Sequence, residues 1–263
     1  MQIFTNLQEI PSLQPPSGLT IGTFDGVHLG HLALFKALRA QVTAQGSLTV
    51  LTFSNHPADL FAHRAPSPLL TTTEHKLKLL ENAGINVCII IPFTQEFANQ
   101  PFSPFLIKLK EQLSMTHLLL GVGASFGKDR QGDESQIRAL AQQFNFRVEY
   151  LPKALVDNEP ISSGRIRNHL VKGEFTAVER LLGRPYSIYA PLVQEHGHLY
   201  LKAPGLCLPP DGIYPIKLCD THETYLGRIH IDKRHETLRV DLAHGKTPSF
   251  QSSKPLAETI FLN

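Results

Sequence analysis

No apolar run in this 263-residue chain approaches the roughly 18 consecutive residues that a membrane-spanning helix needs. The N-terminus "MQIFTNLQEI" lacks a basic start followed by a long apolar stretch, so no signal peptide is read there. The expectation is a cytoplasmic protein with no membrane partner. Cysteine is scarce: Cys88, Cys207 and Cys219 make an odd count, and no CxxC occurs. Neither a disulfide framework nor a zinc ribbon fits that pattern. Cys88, inside "NVCIIIPF", reads as a reduced core residue. Strong charge of one sign is missing too. Lys and Arg number 25 against 23 Asp and Glu, and the formal net charge is +2 with no basic cluster. That balance argues against a nucleic-acid partner. Internal repeats and low-complexity tracts are also absent. Hydrophobic residues make up 42% of the chain, ample for a packed core in one large or two modest domains.

Through the first two-thirds of the chain, short apolar runs alternate with helical patterns. Strands are expected at 18–24, 47–53, 85–93, 117–123 and 146–151. Helices are expected at 32–42, 71–84, 101–113 and 133–144, with two more near 162–171 and 174–182. The second of these has Gly84 as its stop, and Ser103 with Pro104 opens the next. Strands that read as continuous apolar runs between helices imply an α/β fold, a Rossmann-like doubly wound parallel sheet covered on both faces. A ligand would then bind beyond the carboxyl ends of the strands. "GTFDG", "FSNHP", "PFTQEF" and "GVGASFG" all fall at those ends. After "LLGRPY" the helical period fades into short strands separated by Pro, Gly, Asp and His. That texture implies a small antiparallel barrel or sandwich. The division is placed at 1–184 and 185–263.

The segment "GTFDGVHLGHLALF" runs from Gly22 to Phe35. His28 and His31 are three apart and share a face of a first helical turn. A helix N-terminus offers unpaired N–H groups and partial positive charge. Two imidazoles there, with Gly26 and Gly30 letting a ligand approach the backbone, make a phosphate site. A glycine-rich turn with two surface histidines is the plain alternative. A zinc site is a third, without a third ligand nearby.

"GTFDGVHLGH" resembles the signature of the HxGH nucleotidyltransferases, and within them the bacterial bifunctional FAD synthetases. Those join an FMN adenylyltransferase to a riboflavin kinase. "LTFSNHP", "LLTTTEHKLKLLENAGIN", "PFTQEFA", "LLLGVGASFGKDRQGD" and "ISSGRIRNHLVKGEFTAVERLLGRPY" resemble further motifs of that family, in order over about residues 15–190. The resemblance implies that the phosphate of FMN attacks the α-phosphate of ATP and expels pyrophosphate. Catalysis would be positioning and charge neutralisation, with Mg2+ bridging phosphates. It implies His28, His31 and Arg167 as catalytic residues, with Gly22, Phe24, Asp25, Gly26, Gly30, Ser162 and Ser163 holding nucleotide. Asp25 either backs the site or caps the turn. Phe53, His56, Pro57, Phe126 and Gly127 would face the flavin or be ordinary core, and Phe53 reads first as core. Lys128 and Arg130 are either solvated charges or attractors of the FMN phosphate. No residue is expected to ligate a metal directly.

Departures from the family's pattern are specific. Gly123 stands where it carries Asp or Asn, and Gly164 where it carries Thr. Each removes a polar contact worth about 0.5–1.5 kcal/mol. In residues 185–263, "LPPDGIYPIKL" resembles a kinase strand. The Pro-Thr-Ala-Asn motif that precedes it in the family is absent. Glu236 is a poor candidate for the kinase's catalytic glutamate, and the long final helix is missing. The expectation is FMN adenylyltransferase activity on ATP and FMN, with a shortened, inactive kinase barrel that braces the helices ending at Leu182. Two alternatives are a full bifunctional enzyme also acting on riboflavin and a non-catalytic nucleotide or flavin carrier. An HxGH transferase with another acceptor fits the first motif alone. Oligomeric state is not read from the sequence.

Overall fold

Every run expected as a strand in the first part of the chain joins one parallel sheet, and one more strand is added at its edge. The strands are β1 (Gln2–Phe4), β2 (Ser17–Ile21), β3 (Ser47–Phe53), β4 (Val87–Ile91), β5 (Met115–Gly121) and β6 (Arg147–Leu151). Their order is β1-β4-β3-β2-β5-β6, and every pairing is parallel. All residues of β2 and β4 are buried. A strand covered on both faces cannot alternate polar and apolar residues, which is why these segments read as unbroken apolar runs. This computed structural model describes residues 1–10, 16–42, 45–61, 67–220, 223–234, 237–243 and 255–262.

Helices α1 (Leu29–Gln41), α2 (Pro57–Phe61), α3 (Thr73–Asn82), α4 (Gln95–Ala98), α5 (Phe102–Gln112) and α6 (Glu134–Gln143) connect the strands. Alternate residues of each strand feed opposite faces. Leu34, Phe35 and Leu38 of α1, with Leu80 of α3, pack on Val50, Cys88, Ile90 and Leu119. Leu106 and Leu109 of α5, with Ile137 and Leu140 of α6, pack on Leu51, Ile89, Leu118 and Leu120. Each such side chain contributes about 1.5–3 kcal/mol on burial. Cys88 is buried and unbridged. From β2 the chain moves to β3 and β4. It then crosses back to place β5 on the other side of β2, so the order reverses between β2 and β5. That is the switch point at which open α/β sheets bind ligands.

A short hairpin follows, β7 (Leu155–Val156) and β8 (Glu159–Pro160), turning on Asp157 and Asn158 at φ 57° and 61°. Two successive left-handed residues match the twist of a tight hairpin, and Asp and Asn tolerate that conformation.

Helices α7 (Ser163–Leu170) and α8 (Phe175–Leu182) precede six antiparallel strands. These are β9 (Ser187–Glu195), β10 (His198–Leu201), β11 (Gly212–Cys219), β12 (Thr224–Asp232), β13 (Thr237–Leu242) and β14 (Leu256–Phe261). They close as a barrel in the order β10-β13-β12-β11-β14-β9, which decides between barrel and sandwich. The closing strand β14 was not expected from the sequence. Only Ala257, Thr259 and Phe261 of it face inward, and Glu258 and Thr259 dilute its apolar pattern. Phe175, the first residue of α8, stacks on Phe261 at 5.4 Å and meets Tyr214 edge-on at 5.5 Å. The barrel therefore holds α8 directly.

Contacts divide the chain into two units, Met1–Ser67 with Leu77–Pro160, and Pro68–Lys76 with Ile161–Asn263. The second unit takes in the segment 68–76 by backbone pairing. Leu69 N–H donates to the Gly205 carbonyl at 2.9 Å, and Cys207 N–H to the Leu69 carbonyl at 2.7 Å. The Thr72 hydroxyl adds a bond to the Tyr189 carbonyl at 2.7 Å. This contact division differs from the motif-based one at 184/185, which concerns function. Among the described residues no helix is long and apolar enough to cross a membrane.

Candidate functional site

The glycine turn after β2 is tightly wound. Phe24 and Val27 take φ 47° and 37°, with Gly26 at φ 80° between them. Left-handed backbone costs an ordinary residue about 1–2 kcal/mol, so packing must hold this turn in place. Phe24 supplies that packing. It is 2% exposed, meets His31 edge-on at 5.1 Å and lies against Phe35 at 5.2 Å. A Cβ at Gly22 would stand 3.0 Å from the Phe24 ring, so a larger residue there would press on the ring. Asp25 is also buried, at 3% exposure.

The turn delivers His28 to the N-cap of α1 with extended backbone, and His31 to its third position. The rings stack with centroids 3.6 Å apart and planes 17° apart. His28 N–H donates to His31 Nδ1 at 3.3 Å. With Nδ1 accepting, a neutral His31 carries its proton on Nε2. The two histidines thus form one block on the helix N-terminus, where backbone N–H groups favour anions.

Beside this turn lies a cavity of about 570 Å³, within the ordinary range for small-molecule sites. Gly22 and Thr23 line it, as do Phe53, Pro57, Phe126 and Gly127. Its wall is a chain of edge-to-face rings. Phe53 meets Phe93 at 5.0 Å and Phe97 at 5.6 Å, and Phe97 meets Phe105 at 5.3 Å. Phe102 completes the wall. A Cβ at Gly127 would lie 2.7 Å from the Phe102 backbone nitrogen, so this glycine seats the Phe102 segment. Such a surface suits a flat aromatic ligand. Phe53 is both core and cavity wall, at 7% exposure. His56 does not line the cavity; its Nδ1 accepts from Ala58 N–H at 3.1 Å at the start of α2. Phe93, Phe97, Phe102 and Phe105 were not singled out from the sequence. Their density, four phenylalanines within 93–105, was the available signal.

In the second unit, Ser162 is the N-cap of α7 and its Oγ accepts from Arg165 N–H at 3.2 Å. Ser163 and Arg167 are four apart on that helix and share a face. A Cβ added at Gly164 meets nothing closer than Ser162 Oγ at 4.0 Å. The histidine pair and this serine–arginine set belong to different units.

The barrel carries a recess of about 370 Å³ lined by Tyr200, His230, Asp232, Thr237 and Arg239, among others. No glutamate lines it among the described residues. Asp211 accepts from Lys233 N–H at 3.1 Å and Asp220 from Glu223 N–H at 2.7 Å, so both carboxylates serve turns. Glu236 lies outside the described residues. Among the described residues no group of three His, Cys, Asp or Glu side chains is placed to hold a metal ion.

A parallel doubly wound sheet with a histidine-capped glycine turn at its switch strand, next to an aromatic cavity, defines an α/β enzyme that handles nucleotides. The FAD synthetase family model matches residues 10–165, more than half of the chain. The chain belongs to the FAD synthetase family. It is 30% identical over 247 residues to a bifunctional riboflavin kinase/FMN adenylyltransferase of Haemophilus influenzae, covering 89% of this chain and 80% of that one. It is 29% identical to an FAD synthetase of Listeria monocytogenes, covering 86% and 88% respectively. A crystal structure described as a macrolide-efflux protein from Streptococcus pneumoniae matches with a TM-score of 0.80 at 20% identity. That match covers all of this chain and 89% of the other. At that identity the likeness is one of fold alone.

Proposed function

We propose that this chain transfers the adenylyl group of ATP to the phosphate of FMN, giving FAD and pyrophosphate. One observation carries the reading: Gly22 and Thr23 line the aromatic cavity, and the same turn goes on to present His28 and His31. A ring lodged in the cavity would hold its phosphate near the helix N-terminus that handles the nucleotide. An oxygen of the FMN phosphate forms a bond to the α-phosphorus as the bond to the bridging oxygen breaks. The electron pair leaves with pyrophosphate, and no covalent enzyme intermediate is needed. His28, His31 and the α1 backbone would neutralise charge on the transferring group. Ser162, Ser163 and Arg167 are assigned the same work from α7, with Arg167 offering a planar fork to phosphate oxygens. Gly26 and Gly30 would admit the phosphates, while Phe24 and Asp25 support the turn from within.

The Mg2+ expected with ATP would serve to neutralise charge on the phosphates. Residues 1–184 are assigned to the transfer and 185–263 to support of α7 and α8. A cytoplasmic location suits the substrates.

Incubation with FMN and Mg-ATP should yield FAD and pyrophosphate. Binding of both substrates with no FAD above an enzyme-free control would leave a flavin and nucleotide carrier instead. Riboflavin with Mg-ATP should give no FMN, because residues 185–263 lack the Pro-Thr-Ala-Asn motif expected of the kinase. Repeated turnovers would establish a working kinase site.

A further inference from the structure

We propose that Arg130 reads the phosphate of the incoming flavin, so that the aromatic cavity distinguishes FMN from riboflavin. The proposal rests on the reading of that cavity as the flavin site. Among the described residues lining the cavity, Arg130 is the only basic one. The remaining walls are mainly aromatic, aliphatic and amide groups, which stack on a ring but supply no positive charge. A phosphate monoester carries a charge of about −1.5 to −2 at pH 7, so FMN brings an anion that riboflavin lacks.

The arginine is aimed rather than loose. Its Nε donates to Ser125 Oγ at 2.7 Å, and Nη2 to the Gly123 carbonyl at 3.3 Å. Gly123 lies two residues beyond the end of β5, and β5 borders β2 at the switch point. The guanidinium is therefore tethered to the strand beside the glycine turn, the place where transfer would occur. Nη1 has no acceptor and no carboxylate pairs with the group among the described residues. Asp129 lines the same rim. The backbone is left-handed at both residues, φ 52° at Asp129 and 57° at Arg130. Arg130 N–H to the Gly127 carbonyl, at 3.1 Å, holds that turn. Non-glycine residues in this conformation recur at ligand clamps. A planar guanidinium with one edge anchored and the other open matches two phosphate oxygens. Lys128 does not line the cavity.

The test is equilibrium binding of FMN and of riboflavin to the full chain without ATP, followed by flavin fluorescence. The wild-type chain should hold FMN about tenfold more tightly than riboflavin, and Arg130→Gln should abolish that preference while leaving riboflavin binding unchanged. Ser125→Ala should lose part of the preference. Asp129→Asn should move FMN binding the other way, by removing a negative charge from the rim. Raised salt should weaken FMN binding and spare riboflavin, because the cation is exposed. If Arg130→Gln weakens both flavins equally, or neither, the proposal is overturned while the flavin cavity stands. A wild-type chain that binds neither flavin overturns the cavity reading and this proposal with it.

Discussion

His28 and His31 stack face to face at 3.6 Å, and the backbone N–H of the first donates to Nδ1 of the second at 3.3 Å. The pair is at once a helix cap and a set of donors, so its members are not equivalent under mutation. His31 accepts the His28 N–H and so closes the first turn of α1. His28 contributes a ring that is 5% exposed.

His28→Ala and His31→Ala should each slow adenylyl transfer at least about tenfold, since each removes a donor worth more than about 1.4 kcal/mol in the transition state. His31→Ala should also lose the hydrogen bond that Nδ1 accepts from His28 N–H, worth about 0.5–1.5 kcal/mol. His31→Gln, whose amide oxygen can accept the same N–H, should recover part of that stability without recovering the rate. Turnover and thermal midpoint measured on all three variants decide this. Unchanged turnover in both alanine variants would remove the pair from the mechanism.

How much of this was legible follows from what each residue does. The central strands were readable because β2 and β4 are buried throughout, which forces unbroken apolar runs. The edge strand Gln2–Phe4 spans three residues, too few for any period to show. The placement of the histidine pair at the start of α1 was legible because HxxH follows a strand and a glycine turn and runs into an apolar helical pattern. The aromatic wall was not, because Phe93, Phe97, Phe102 and Phe105 are spread over a loop and the helices α4 and α5, and any apolar reading assigns them to core. Motif proximity also cannot tell a side chain facing the crevice from one beneath it. Phe24 packs under His31, and His56 caps α2.

Gly123 and Gly164 should respond differently to substitution. Gly164 has open space and sits in the first turn of α7, so Gly164→Thr should leave stability unchanged or raise it by a few tenths of a kcal/mol. The space around Gly123 is equally open, but its φ is +88°. Its role is a backbone one, beyond the missing polar contact expected from the sequence. Gly123→Asn should lose about 1 kcal/mol, and less than a β-branched residue would. Denaturant midpoints of the full chain separate the cases. Equal losses at both positions would contradict the assignment.

Tyr150 offers a stabilising change. Its hydroxyl is buried without a hydrogen-bond partner among the described residues, while Arg138 lies 5.3 Å from the ring centre. Burial pushes the phenol up to about 12, with Glu134 adding to the effect. Tyr150→Phe keeps the ring and its cation contact, removes the unsatisfied group, and should stabilise by about 0.5–1 kcal/mol. Because the folded value lies above the unfolded one, the neutral phenol's contribution is complete below about 10. It is lost as pH rises towards about 12. The wild-type chain should therefore lose more stability than Tyr150→Phe across that window. Parallel curves would show that the phenol does not titrate on unfolding.

The turn between α7 and α8 should respond to acid through one carboxylate. Glu174, the N-cap of α8, lies 2.5 Å from His169 Nδ1, near the end of α7. That hydrogen bond holds the Glu174 carboxyl below its ordinary value, against desolvation, with Lys172 and the charge of His169 adding to the lowering. A carboxyl held low when folded contributes its full share above the ordinary value. That share is lost as pH falls through the folded value. A bond from Glu174 N–H to the His169 carbonyl at 3.1 Å persists whatever the protonation, so acid should loosen the side-chain clasp without melting either helix. A carboxyl titration followed by NMR should place the wild-type Glu174 midpoint below that of an ordinary glutamate. His169→Ala should return it upward, and amide exchange at Phe175 should quicken in that variant. α7 also carries Ser163 and Arg167, so a loosened turn should raise the KM for ATP before it changes the thermal midpoint. An identical Glu174 midpoint in both proteins would show that the imidazole does not hold the carboxylate in solution.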